Sequence, residues 1–225
     1  ALAQNPGLLT TVLAQAPQAV FLSFGDPMPF AEEIQRAGVP LICQVQNLRD
    51  ARRAVAAGAA IIVAQGAEAG GHGESRATMT LVPEIADMLT ISAPDVLLVA
   101  AGGIADGRGL AASLMLGADG VLIGSALLAS DEALLHPNAK AAILAADGDA
   151  TLRTSVVDIA RGKDWAARYS GRVLHNGFTD QWQGREDALR AAEGEAARWA
   201  AAALVGDLSV ANVFVGEAAG LIRNS

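Results

Sequence analysis

The chain has 225 residues, of which 52% are apolar and only 4% aromatic, and its formal net charge at pH 7 is −8. This length can bury the core of one large domain or two small ones, and the apolar content excludes a disordered chain. Lys and Arg form no cluster interleaved with aromatic residues, so the acidic chain is not expected to bind nucleic acid.

Apolar runs in the first half of the chain predict strands. They are short, non-alternating and rich in Val, Ile and Leu, as buried parallel strands are. They cover residues 19–24, 40–46, 60–65, 96–102 and 120–125. Helices are predicted between them, for example from Asn47 to Gly58 and from Asp106 to Gly117. This βα repeat predicts an α/β fold built on a parallel sheet.

The character of the sequence changes after Ser125. Residues 126–205 carry more charge and a helical periodicity, which predicts a helical subdomain inserted after the last strand. The final segment contains Gly216 and Gly220, and its residues 213–223 are predicted to return to the sheet. The predicted division is therefore 1–125 for the sheet, 126–205 for the helical subdomain and 206–225 for the return.

Cysteine content and hydropathy bear on the cellular compartment. Cys43 is the single cysteine, which excludes a disulfide and a metal site built from cysteines. The sequence shows neither a secretory signal nor an apolar run of membrane-spanning length, so we expect a cytoplasmic protein with no membrane association. The opening residues, Ala-Leu-Ala-Gln, are not an initiator sequence, and we expect a further segment upstream.

A glycine-rich loop ending on a histidine is the most informative candidate site. It follows the predicted strand 60–65 and contains Gly70, Gly71 and His72. Glycines let the backbone approach a planar or phosphorylated ligand closely, because no Cβ stands in the way. Parallel strands end at one edge of a sheet, which is where sites form in such folds. His72 is a candidate general base, a hydrogen-bond donor to a substrate, or simply a loop histidine.

Two further loops predict a phosphate site. Gly102-Gly103 and Gly124-Ser125 follow consecutive strands, as phosphate-binding loops do in a (β/α)₈ barrel, where backbone N–H groups and a hydroxyl bind the phosphate. The alternative is that both are tight turns required by close helix–strand packing. Neither has the spacing of a dinucleotide fingerprint or a Walker A lysine, so a Rossmann NAD site is not expected.

Other polar residues at the predicted strand ends have two interpretations each. Gln44 and Gln65 offer amide donors and acceptors that suit the N–C=O edge of a heterocycle, or they satisfy loop backbone groups. Glu68 either orients His72 or caps the loop, and we favour the cap. The three histidines of the chain lack the spacing of a metal site, so no metal is expected.

Three segments, in this order, resemble the nitronate monooxygenases, formerly called 2-nitropropane dioxygenases. They are QGAEAGGH (65–72), AAGGIADG (100–107) and GADGVLIGS (117–125), and the resemblance extends over essentially the whole chain. The resemblance implies an FMN-dependent TIM barrel with a helical domain over the flavin. It also implies oxidation of a small nitronate or nitroalkane by O₂ to a carbonyl compound and nitrite, with the redox chemistry supplied by the flavin.

The resemblance implies roles for single residues as well. Gln44 and Gln65 would lie near the ribityl chain or the isoalloxazine ring. His72 would face the substrate and either remove a proton from a nitroalkane or bind the nitronate. The FMN phosphate would be held by Gly102, Gly103, Gly124 and Ser125.

The chain departs from this family at its start, because the family's first barrel strands have no counterpart here. Five predicted strands do not close an eight-stranded barrel, so we expect a partial barrel whose open sheet edges favour self-association into a homo-oligomer or aggregation. Two other functions stay open. One is an FMN-dependent enoyl-[acyl-carrier-protein] reductase, which shares the EAGGH and AAGGIADG segments, or another NAD(P)H:flavin oxidoreductase. The other is a flavin-free remnant acting as a binding or assembly module.

Overall fold

A computed structural model describes residues 2–5 and 7–222. Its helices and strands are, in chain order, α1 (Gly7–Leu13), β1 (Val20–Ser23), α2 (Met28–Arg36), β2 (Leu41–Val45), α3 (Leu48–Ala56), β3 (Ile61–Gln65), β4 (Gly71–Gly73), α4 (Thr78–Ser92), β5 (Leu97–Ala101), α5 (Gly107–Met115), β6 (Gly120–Leu122), α6 (Pro137–Ala145), β7 (Thr151–Thr154), α7 (Val156–Ala160), β8 (Ser170–Leu174), α8 (Gly177–Trp182), α9 (Glu186–Ala191) and α10 (Glu195–Val205). Short 3₁₀ helices cover Leu2–Gln4, Ser125–Ala129, Gly148–Ala150 and Glu217–Leu221.

Five strands form a parallel sheet in the order β1-β2-β3-β5-β6. These are the five strands that the sequence predicts, and a helix connects each to the next. The partial, TIM-barrel-type α/β fold is therefore confirmed. Strands β1 and β6 are the two edges of the sheet, and in the described part of the chain no strand pairs with their outer sides.

The predicted starts and ends of two connecting helices are confirmed. The Asn47 side chain accepts a hydrogen bond from the backbone N–H of Asp50 at 2.9 Å and so caps α3. Asp106 caps α5 in the same way, accepting from the N–H groups of its second and third residues. Gly58 and Gly117 follow these helices with φ of +77° and +93°, a backbone region that glycine adopts without a steric cost.

One face of the parallel sheet carries the main core. Side chains alternate along each strand, and those on the helix side, such as Ile62 and Leu98, are almost completely buried. The opposite face is only partly covered, since Phe21 is 44% exposed, Leu97 50% and Leu122 40%, whereas Val63 of the central strand β3 is buried. The helices therefore cover one side of the sheet only.

A second, antiparallel sheet corrects the prediction for residues 126–205. Its order is β4-β8-β7, so two of its strands come from the segment predicted to be helical and the third contains His72. The His72 segment is thus a short strand where the sequence predicts a loop. Strands β7 and β8 are short and contain Arg, and they form because they pair with residues distant in the chain, which periodicity does not report.

The rest of the predicted subdomain is helical, with α6 to α10 packed into two smaller cores. Phe214 forms a β-bridge to Val173 of β8, and the backbone N–H of Glu217 donates to the carbonyl of Glu68 at 2.9 Å. The final segment thus contacts the loop that follows β3. Residues 223–225 lie outside the described part, and the boundaries at 125 and 205 stay predictions.

No helix within residues 2–5 and 7–222 combines the length and the apolar character needed to cross a lipid bilayer.

Candidate active site

The carboxyl ends of β3, β5 and β6 border a cavity of about 260 Å³. The final segment of the chain also lines it, through Phe214, Gly216 and Ala218. The structure brings together on this one cavity every residue that the sequence assigns to a cofactor: Gln44, Gln65, Gly70, Gly71, Gly102, Gly103, Gly124 and Ser125.

Glycine is required at several of these positions because the backbone segments lie very close together. A Cβ on Gly70 would come within 2.6 Å of the backbone of Val215 and Gly216. Gly102 and Gly103 have φ of +102° and +74°, which side-chain-bearing residues rarely adopt. Gly124 differs from these, since a Cβ there would meet nothing within 4 Å and would face open space.

Polar groups around the cavity suit an anion. The backbone N–H groups of Gly103 and Gly124 have no hydrogen-bond acceptor in the described chain. The Ser125 hydroxyl accepts a bond from the N–H of Gly216 at 2.7 Å, so its own hydrogen is free to donate. Since no Lys or Arg is among the described residues that line the cavity, these groups would have to bind a phosphate as neutral donors.

Three glutamine amides form a hydrogen-bonded group at the strand ends. The Nε2 atoms of Gln44 and Gln46 both donate to Oε1 of Gln65, at 3.1 Å and 2.8 Å. Gln46 is buried and does not line the cavity, whereas Gln44 and Gln65 do. The pair that the sequence singles out is therefore held in place by a third amide.

His72 lies beside the cavity but not on its lining. Its Nε2 atom is 2.8 Å from Oδ2 of Asp158 in α7, and both side chains are largely buried. The Phe214 ring, which lines the cavity, has its centroid 5.8 Å from that of the imidazole. Sequence reasoning did not find Asp158, because 86 residues separate it from His72 and no local motif marks it.

Aromatic rings surround the imidazole. Trp165 stacks on it with centroids 3.7 Å apart and an interplanar angle of 12°, and Phe24 lies edge-on at 6.3 Å. Tyr169 packs against both of these rings. Together with Phe214, this cluster contains the only Tyr of the chain, one of its three Trp and two of its five Phe residues. Because the chain has so few aromatic residues, their concentration around His72 makes this histidine the leading candidate for a functional residue.

A family model for nitronate monooxygenase matches residues 3–224. The chain belongs to the nitronate monooxygenase family. It is 34% identical over 238 residues to a nitronate monooxygenase of Neurospora crassa, covering 96% of this chain and 62% of that relative. The chain thus spans less than two thirds of the length of this curated relative.

The fold of the chain is similar to that of two solved structures. FabK from Thermotoga maritima has a TM-score of 0.80 at 30% identity, over 96% of this chain and 66% of that one. A nitroalkane oxidase from Streptomyces ansochromogenes has a TM-score of 0.77 at 27% identity, over 96% and 62% of the two chains.

The two interpretations of Glu68 are resolved by its contacts. Its carboxylate oxygens accept from the backbone N–H of Thr78 at 3.0 Å, and one also accepts from the Thr78 hydroxyl at 2.9 Å. Glu68 therefore ties its loop to the first residue of α4, as the favoured interpretation predicts. The carboxylate that contacts His72 belongs to Asp158 instead.

Two arginines donate hydrogen bonds to the backbone of the glycine-rich loop. Arg153 of β7 and Arg172 of β8 each donate to the carbonyl of Ala67 at 3.0 Å. Burial, reinforced by the neighbouring charge of Arg172, lowers the pKa of Arg153 to about 10. No local motif marks this pair, since both arginines lie in the segment predicted to be helical.

A larger cavity of about 740 Å³ adjoins the first at Gln44, which lines both. Phe24 and Tyr169 of the aromatic cluster line it, together with Cys43. Burial raises the pKa of the Cys43 thiol to about 11, so this cysteine is not a nucleophile at neutral pH. The described residues contain no group of three or more His, Cys, Asp or Glu side chains arranged to bind a metal ion.

Proposed function

We propose that this chain binds FMN in the 260 Å³ cavity and oxidises alkyl nitronates, or the parent nitroalkanes, with O₂ to carbonyl compounds and nitrite. One observation carries the proposal: three strand ends and the final segment converge on a cavity with free backbone N–H donors, beside a buried His–Asp pair. Membership of the nitronate monooxygenase family supports the reaction class.

The residues present fit a flavin mononucleotide. The unpaired N–H groups of Gly103 and Gly124 and the free hydrogen of the Ser125 hydroxyl would hold its phosphate. The amides of Gln44 and Gln65 would contact its ribityl chain or the polar edge of its ring. When bound, the flavin supplies the redox chemistry by accepting an electron from the nitronate.

His72 is the candidate base. A nitroalkane becomes a nitronate by losing the proton on the carbon that bears the nitro group, and a neutral imidazole can accept that proton. The same ring, once protonated, would bind the anionic nitronate. The aromatic cluster around it excludes water and presents an apolar surface to an alkyl substrate.

Assays on the 225-residue chain test this proposal. After incubation with FMN and desalting, we expect retained flavin absorbance, O₂ consumption with an alkyl nitronate, nitrite as product, and no need for NADH. Oxidation of NADH by an enoyl thioester, without O₂ consumption on nitronate, would instead identify an enoyl reductase. A folded protein that stays colourless would overturn the flavin site itself.

A further inference from the structure

Within the described residues, the carboxylate of Asp158 has a single hydrogen-bonding partner, and it is His72. The residue is only 3% exposed and lies among the buried residues of α7, such as Val156 and Val157. Its Oδ2 atom is 2.8 Å from Nε2 of His72, while its buried Oδ1 has no hydrogen-bond partner in the described chain. Losing this contact would leave a buried carboxylate without any hydrogen-bond partner, which costs free energy.

The chemistry of the contact determines which ring nitrogen carries hydrogen. An ionised carboxylate is only an acceptor, so Nε2 of His72 must be the donor. In the neutral imidazole the other nitrogen, Nδ1, then holds the lone pair. The contact therefore leaves Nδ1 as the basic atom of this histidine.

The orientation of the ring is fixed as well as its tautomer. Trp165 stacks on one face of the imidazole at 3.7 Å, and the backbone of His72 pairs with Gly171 of β8. A Cβ on Gly171 would come within 2.8 Å of the Phe214 ring. Because Gly171 has no side chain, Phe214 can pack beside the histidine. Asp158, Trp165 and β8 all come from the segment inserted after β6.

We propose that Asp158 is the positioning residue for His72: it selects the tautomer with hydrogen on Nε2 and so leaves Nδ1 to accept the substrate proton. The proposal rests on the proposed function, in which His72 is the base. Asp158 is not among the residues that line the 260 Å³ cavity and its carboxylate contacts His72, so it would act through the histidine. The segment after β6 thus contributes the carboxylate that sets the tautomer of His72, a residue of the first 125 residues of the chain.

Nuclear magnetic resonance of the imidazole nitrogens tests this directly, without flavin or substrate. The chain has three histidines, so ¹⁵N-histidine labelling gives three ring systems, and His72→Gln identifies the relevant one. At a pH where the rings are neutral, we expect the His72 Nε2 resonance to show a bonded hydrogen and Nδ1 to show none. The opposite tautomer in the wild-type chain would overturn the proposal.

Asp158→Asn is the matching variant, since it keeps the shape and removes the charge. We expect it to lose the Nε2–H tautomer preference and, in the FMN-loaded chain, to lower turnover of neutral nitroalkanes on the order of 100-fold. Turnover of preformed nitronates needs no proton removal, so their kcat should stay within a few-fold, and the loss of the Asp158 charge beside the imidazolium should raise their KM. Asp164→Asn, an exposed carboxylate of the same segment, should change neither property.

The two experiments distinguish a failure of the Asp158 proposal from a failure of the proposed function. If wild type turns over nitroalkanes and Asp158→Asn changes neither the tautomer nor the ratio of the two substrates, Asp158 is not the positioning residue. If wild type turns over neither substrate while its His72 spectrum shows the expected tautomer, the His–Asp arrangement stands and the proposed function fails. Should Asp158→Asn not fold, the wild-type spectrum decides alone.

Discussion

At the scale of single residues, the site separates groups that shape the cavity from groups that would do chemistry. Glycines and Ser125 form the cavity wall, whereas His72 lies just behind it, tied to Asp158. Because His72 is not among the residues that line the cavity, substitutions should affect cofactor binding and proton transfer independently.

Gly124→Ala should weaken FMN binding without destabilising the fold. A Cβ at this position meets nothing within 4 Å in the structure but would project next to the proposed phosphate. We expect the FMN dissociation constant to rise roughly tenfold or more, equivalent to about 1.4 kcal/mol, by fluorescence titration. Gly107→Ala, also open but away from the cavity, is the control. Equal affinity in both variants would show that the phosphate lies elsewhere.

Gly103 is less suitable for this experiment. Its φ is +74° and a Cβ would lie 3.2 Å from that of Glu68, so a larger residue there would strain the loop before any ligand bound.

His72→Ala should leave FMN bound and abolish most turnover of neutral nitroalkanes. The histidine does not line the 260 Å³ cavity, so its loss removes the base but not the cofactor contacts. We expect a fall of about 10²-fold or more in kcat, measured by O₂ consumption. His175→Ala, at an exposed histidine, is the control. Unchanged turnover in His72→Ala would exclude the role.

At the scale of elements, ion pairs join the inserted segment to helix α3 and to the residue that follows β4. Arg168, between α7 and β8, contacts Asp50 of α3 at 2.8 Å and Glu74 at 3.2 Å, and its guanidinium lies over the Tyr169 ring. Burial opposes ionisation of Asp50, but hydrogen bonds from Asn47 and Arg168 outweigh it, so its pKa is lowered. The attachment of the segment that carries Asp158 should therefore depend on pH.

The sign of this dependence follows from the lowered pKa of Asp50. Its contribution to stability is fully present above its unfolded pKa of about 3.9 and is lost as pH falls through the lower pKa of the folded state. Asp50→Asn should lower the free energy of unfolding by ~1 kcal/mol or less at pH 7, since Arg168 is partly exposed. In urea titrations, the difference should shrink as pH falls below the unfolded pKa and vanish once Asp50 is protonated in the folded state.

Asp95→Asn is a control at an exposed site in the loop before β5, where we expect little change at either pH. A pH-independent difference between Asp50→Asn and wild type would mean that packing, not charge, holds the segment.

At the scale of the whole molecule, the parallel sheet is covered by helices on one face only. Its other face exposes Phe21, Leu97 and Leu122, and its edge strands β1 and β6 have backbone groups available for pairing. Apolar surface next to open strand edges favours association between chains. The predicted homo-oligomer would use these surfaces.

Light scattering of the purified chain should therefore show self-association that increases with concentration. Phe21→Lys places a charge on the open face of edge strand β1 and should raise the monomer fraction, because a desolvated lysine opposes pairing. Lys in place of Met115, an exposed residue at the end of α5, is the control for added charge alone. A wild-type chain that stays monomeric would contradict the prediction.

Sequence patterns alone predict the parallel strands, the helix caps at Asn47 and Asp106, and eight of the residues that line the 260 Å³ cavity. These depend on local patterns: apolar runs, capping side chains, and glycines directly after strands, which parallel pairing brings to one edge. Spacing in the chain is enough to predict a feature when its residues act locally or are brought together by parallel strand pairing.

The surroundings of His72, by contrast, are visible only in the folded chain. Its strand partner Gly171, its carboxylate Asp158 and its stacking partner Trp165 all lie more than 80 residues away, in a segment whose helical periodicity concealed β7 and β8. Antiparallel pairing between distant short strands leaves no periodic trace, and a buried Asp looks in sequence like any surface Asp. The chemistry of the histidine was therefore set by contacts that only folding creates.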